Sequence, residues 1–167
     1  MLRDVAVVVL CQLAAACVIG LLLPHVADLA QAVRTEDGVV TGEVQLGKTF
    51  NDDGWLIVLG GAAGLVLGMV LQVWRRSHEV VTLVAIVVSA LAAAWLAGWI
   101  AEGTGPGDAT LALAEAEIGA TASVPVVIES RVAYLVWPLC ATLSALVALL
   151  APGSHDQDRP LAETPSA

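Results

Sequence analysis

Long apolar runs alternate along this chain with shorter polar ones, and the run lengths decide what it builds. The clearest run is 55–74, WLIVLGGAAGLVLGMVLQVW, twenty residues without a charge. As a helix rising ~1.5 Å per residue it reaches about 30 Å, the hydrocarbon thickness of a bilayer. Trp55 and Trp74 stand at its ends, where indole prefers the headgroup level, and Asp52-Asp53 and Arg75-Arg76 fence it. Three more runs share its character: 5–23, which stops at Pro24; 80–100; and 132–151, where Pro138 is placed to kink a helix. The pattern predicts an all-α membrane protein with four transmembrane helices. The link 75–79 is so tight that the second and third spans must run antiparallel.

Small residues recur every fourth position on two of these spans, as Gly60, Gly64 and Gly68 on the second and as Ala90, Ala94 and Gly98 on the third. Such stripes let two backbones approach closely, and the alanine/glycine face is able to receive the glycine face, within one chain or between chains. Gln12, Ser89 and Ser144 lie at one depth in their spans, seven to nine residues from the same predicted membrane side. They read as interhelical glue at ~0.6 kcal/mol per bond. No span holds the central ionisable residue that proton and ion relays need.

The connections 24–54 and 101–131 are the long ones. In the first, Glu36-Asp37-Gly38 separates two β-prone stretches and predicts a small hairpin. Asn51-Asp52-Asp53-Gly54 is suited to capping the start of the second span. In the second, Gly105-Pro106-Gly107 breaks the chain, Asp108 caps a short helix through Ile118, and Gly119 ends it. Residues 125–128 read as an extended piece able to pair with the hairpin. Residues 1–151 thus form a single transmembrane domain with a small hairpin and short-helix region outside the membrane. The polar tail 152–167 is expected to be disordered.

Composition agrees: 58% of residues are hydrophobic and 14% charged, where soluble domains carry about a quarter. A net charge of −9 with seven basic residues excludes a nucleic-acid role. Arg3, Arg75, Arg76 and Arg159 fall on one side, against Arg34, Lys48 and Arg131 on the other, and the pair in the tight link sets the orientation. Both termini are expected in the cytoplasm of a bacterial plasma-membrane protein. Trp55, Trp95, Trp99, Tyr134 and Trp137 would then gather at the outer interface. A cleaved signal peptide is the rival reading of the first run, through Ala30-Gln31-Ala32. The run's length and its weakly basic start favour retention.

This topology concentrates carboxylates outside, with Asp28, Asp52, Asp53, Glu102 and Glu129 near the outer span ends. Oxygen groups of this kind bind hard divalent cations, but no spacing resembles a cation loop, so a solvated acidic rim is expected. His25, His78 and His155 are scattered, and Cys11, Cys17 and Cys140 read as small buried hydrophobes. The spacings predict no metal site, no cofactor and no catalytic constellation.

Asp52-Asp53-Gly54-Trp55, the glycine-rich span, the Arg75-Arg76 link and Trp137-Pro138-Leu139 together resemble an uncharacterised family of small four-span membrane proteins from high-GC actinobacteria. The resemblance covers most of the chain up to Ala151 and implies a plasma-membrane protein with extracytoplasmic loops. It implies no reaction and supplies no catalytic residue. The function expected is that of a non-enzymatic structural or accessory subunit, whose partners are the lipid bilayer and other membrane subunits or a second copy. The alternative is a small homo-oligomeric transporter or channel-like protein, supported if Gln12, Ser89 and Ser144 line a wet cavity. A membrane enzyme using the outer carboxylates is the third possibility.

Overall fold

The computed structural model describes residues 2–74 and 79–150, with 2, 43–50 and 79 described by backbone alone. The Arg75-Arg76 link and the tail lie outside these residues. In order the chain forms α1 (Leu2–Val26), β1 (Gln31–Thr35), β2 (Gly38–Thr41), α2 (Glu43–Trp74), α3 (Glu79–Thr104), α4 (Ala109–Leu113), β3 (Thr121–Ser123) and α5 (Ala133–Leu150). Among the described residues four helices are long and apolar enough to cross a membrane, and a three-stranded sheet accompanies them.

Three of the four long helices overrun their expected boundaries, α3 to Thr104 and, more tellingly, α1 past Pro24 and α2 at its start. Proline removes one N–H donor, yet α1 carries Pro24 inside its last turn, and Ala27 N–H still donates to Leu23 O at 2.9 Å. α2 begins at Glu43, directly after β2, so Asn51, Asp52 and Asp53 do not cap it. They sit inside the helix, because no proline separates Glu43 from the apolar run and Gly47 and Gly54 weaken the helix without ending it. Half of the first long connection is therefore helix.

α2 packs chiefly on α5 and α1 on α3, with α3 also meeting α5. The interior is built largely of alanine: Ala90, Ala93, Ala94, Ala97 and Ala101 of α3 and Ala141 and Ala145 of α5 are all essentially inaccessible. Small side chains suit helices in hydrocarbon, where association rests on close van der Waals contact rather than on escape from water. Within the chain the two small-residue stripes do not meet. The glycine face of α2 lies on α5, and Gly98 of α3 faces the ring of Tyr134. Ala90 and Ala94 fill the central core.

The sheet has the order β2-β1-β3, all antiparallel. The hairpin forms as expected, with Glu36 and Asp37 turning and Thr35 paired with Gly38. Gly38 has φ +133°, a conformation that L side chains rarely adopt. The third strand is 121–123, not 125–128. Pro125 has no N–H to give, so the ladder ends with Val124 N–H on Ala30 O at 2.7 Å. The short helix stops at Leu113 rather than Ile118. After it, Ala114 and Ala116 N–H reach back only three residues, to Leu111 O and Leu113 O, which tightens the helix into turns that end at Gly119, φ +92°. Asp108 does cap α4, accepting from Thr110 N–H at 2.8 Å. Ala32, Ala109 and Leu113 form a second small core under the sheet, and Arg34 Nη1 donates to Leu113 O at 3.0 Å. The sheet and α4 thus make a cap with a core of its own.

Candidate functional site

Where the cap joins the bundle, carboxylates of two helices hold one extended segment. α2 brings Asp52 and Asp53 inward because the helix starts early; they are 4% and 9% exposed. Segment 126–130, excluded from the sheet by Pro125, has backbone donors to satisfy. Ser130 N–H donates to Asp53 Oδ2 at 3.2 Å and Oδ1 at 3.4 Å, and Ile128 N–H donates to Glu102 Oε1 at 3.3 Å. Asp53 and Glu102 thereby latch the segment that leads into α5. Asp52 Oδ1 is buried without a hydrogen-bond partner, an arrangement that native structures rarely tolerate.

The rest of the acidic rim does not converge. Asp28 and Glu129 are exposed, and among the described residues no group of three or more His, Cys, Asp or Glu could hold a metal ion. The latch contains carboxylates and backbone donors but neither histidine nor cysteine. Its chemistry is the acceptance of protons or hydrogen bonds. His25 lies exposed at the end of α1, its ring Nδ1 3.0 Å from Leu21 O. Contrary to expectation the cysteines are not fully buried: Cys11 and Cys140 are half-buried, and Cys17 is exposed on the outside of α1.

Within the helices, Gln12, Ser89 and Ser144 are all buried, yet each turns to a different partner. Gln12 Oε1 accepts from Trp137 Nε1 at 3.0 Å, tying α1 to α5. Ser144 Oγ lies 3.3 Å from Gly64 O and 3.1 Å from Ala141 O, joining α5 to α2. Ser89 Oγ bonds back onto its own helix at Ala85 O and Ile86 O. The Ser144 contact exists because Gly64 and Gly68 let the helices meet. A Cβ on Gly64 would stand 2.5 Å from Trp137 O, and one on Gly68 would collide with Ala141 O and Ser144 Oγ.

Trp137 is the residue the sequence misplaces. Expected at the interface with Trp95 and Trp99, it is 1% exposed and closes the bundle interior, whereas those two are 68% and 70% exposed. Its signal was there: Trp137 is followed by Pro138 and falls on the buried stripe shared by Ala141, Ser144 and Ala148. Gln72 and Thr82, both buried, also went unnoticed, though a glutamine in an uncharged run is itself a flag. Comparison with protein-family models, curated proteins and solved structures finds no match to this chain.

Proposed function

We propose that the chain is a multi-pass protein of a bacterial plasma membrane, with both termini in the cytoplasm and the cap outside. In this reading it works as a non-enzymatic structural or accessory subunit. The observation that carries the reading is the cap. It has its own core and is joined to α5 through the segment that Asp53 and Glu102 latch, yet it leaves Leu111 77%, Ile118 67% and Val40 51% exposed. Large apolar side chains exposed on a well-built polar element are what a docking surface offers. Kinship with the actinobacterial four-span family belongs to the same proposal, on the residues quoted for it.

Support also comes from the polar groups inside the helices, since the bonds of Gln12 and Ser144 join helices. The transporter alternative drew its support from Gln12, Ser89 and Ser144 converging on a wet cavity, and their hydrogen bonds instead go to separate partners on Trp137, Gly64 and Ala85. An enzyme built on Asp52, Asp53, Glu102 and Glu129 has to contend with three of the four being engaged in holding backbone. The deciding experiment is extraction in a mild detergent followed by native mass determination. The reading predicts a heteromeric complex of fixed stoichiometry; a monomer or homo-oligomer without other chains overturns it.

A further inference from the structure

Three carboxylates meet three backbone amides in the segment that leads from the cap into α5. Val127 N–H donates to Asp52, Ile128 N–H to Glu102 and Ser130 N–H to Asp53. Glu102 is exposed and keeps its carboxylate in water, but Asp52 does not. It stands ahead of the uncharged run 55–74, is 4% exposed, and has its Oδ1 sealed from solvent with no donor upon it. That oxygen is closed to a side chain from another protein, and among the described residues no group around it makes a metal site. A proton is small enough to reach it.

The surroundings favour that proton. Asp53 follows Asp52 on α2, where Lys48 occurs one turn earlier in the sequence, and α3 adds Glu102. α5 contributes Tyr134, which lies in the field of Glu102 and Asp53. The latched segment carries Glu129 and Arg131 and the end of α1 His25 and Asp28, all four exposed. The charge that bears on Asp52 itself is that of Asp53, of like sign. Burial of the charge pushes the Asp52 carboxyl up to about 6, outweighing the opposite pull of Val127 N–H, and Asp53 adds a smaller push. When segment 126–130 lifts away, water returns to Asp52, which then titrates as an ordinary carboxylate near ~3.9. The closed joint thus holds the proton more tightly than the open one. Opening is least favoured below ~pH 3.9, grows as pH rises, and levels off above about pH 6. We propose that Asp52 is a proton-operated catch, which tightens the hold on the segment joining cap to α5 as the medium the cap faces turns acidic. Neither the outward placement of the cap nor its docking enters this device, so its failure leaves the docking reading standing.

The test is amide hydrogen exchange of the full chain in lipid nanodiscs, compared at about pH 5 and about pH 7 after correction for the intrinsic exchange rate. Both values lie above the range in which ordinary carboxylates titrate. Protection across 126–131 should be about tenfold greater at the lower pH, the ratio that follows from ~3.9 in the open joint and about 6 in the closed one, while the helices change little. Asp52→Asn carries no charge and still offers Val127 an acceptor, so it should hold the high level of protection at both pH values. Asp53→Asn should lower protection at both values yet keep the response to pH, and His25→Gln should alter neither. Wild-type protection indifferent to pH overturns the proposal, and does so even where Asp52→Asn fails to fold. So does a response that survives in Asp52→Asn, that vanishes in His25→Gln, or that spreads evenly over the helices.

Discussion

Replacing Gly64 with alanine should destabilise the bundle, although the same change in a helix usually stabilises it by about 1 kcal/mol. The added Cβ would stand 2.5 Å from Trp137 O and 3.1 Å from both Ala141 N and Cys140 Cβ. Ordinary contact needs about 3.5 Å, so α2 and α5 must part by roughly 1 Å. A gap of that size forfeits about a quarter to a half of each neighbouring contact, and overpacking of this kind costs ~1–3 kcal/mol. The Ser144–Gly64 hydrogen bond stretches too, losing up to ~0.6 kcal/mol. Against the helix gain, the net expected is a loss of about 1–2 kcal/mol, and more at Gly68, where the Cβ meets a carbonyl and a hydroxyl. Controls lie in the same helix. A Cβ on Gly54 meets nothing within 4 Å, and one on Gly61 makes ordinary contacts at 3.4 and 3.7 Å. Gly54→Ala and Gly61→Ala should therefore both stabilise. Reversible unfolding of the four variants in mixed micelles reads the order directly. If Gly64→Ala and Gly68→Ala match Gly54→Ala, α2 does not lie on α5 in this way and the reasoning fails.

Three other substitutions probe the remaining joints. Gln12→Leu leaves the buried indole N–H of Trp137 unpaired and should cost about 1–2 kcal/mol, and a double-mutant cycle with Trp137→Phe should return a coupling near 0.6 kcal/mol; zero coupling contradicts the bond. Asp53→Asn should weaken the latch by about 1–3 kcal/mol, seen as faster amide exchange across 126–131 with the helices unchanged; uniform exchange means the segment is held otherwise. Gly119→Ala, at φ +92° in open space, should loosen the cap by about 1–2 kcal/mol through backbone strain alone, measured as increased proteolysis within 109–123. An unaltered digestion pattern would refute that.

The long helices were legible because an apolar run of the length a bilayer requires stands out in composition alone: the run 55–74 lies inside α2. The hairpin was legible because its turn is local, with Gly38 directly beside Glu36-Asp37. Partner choice among helices was not. The stripes of α2 and α3 each announce close packing but carry no address, and Gly64 finds Trp137 and Ala141 only once the bundle is assembled. The start of α2 was hidden because 43–54 is polar, and polar residues serve a helix as well as a loop. Trp137 was misread because an indole near a span end satisfies two rules at once: interface seat or core with a hydrogen-bond partner. Gln12, across the bundle, decides between them.

In the proposed function the cap is the surface by which this chain joins other proteins. Photo-crosslinking from positions 111 and 118 in intact membranes, with position 36 on the hairpin turn as control, tests it most directly. A discrete adduct of one partner from 111 and 118, absent from 36, is the predicted result. If 111 and 118 yield only lipid adducts or nothing, the cap does not dock and the subunit reading is wrong.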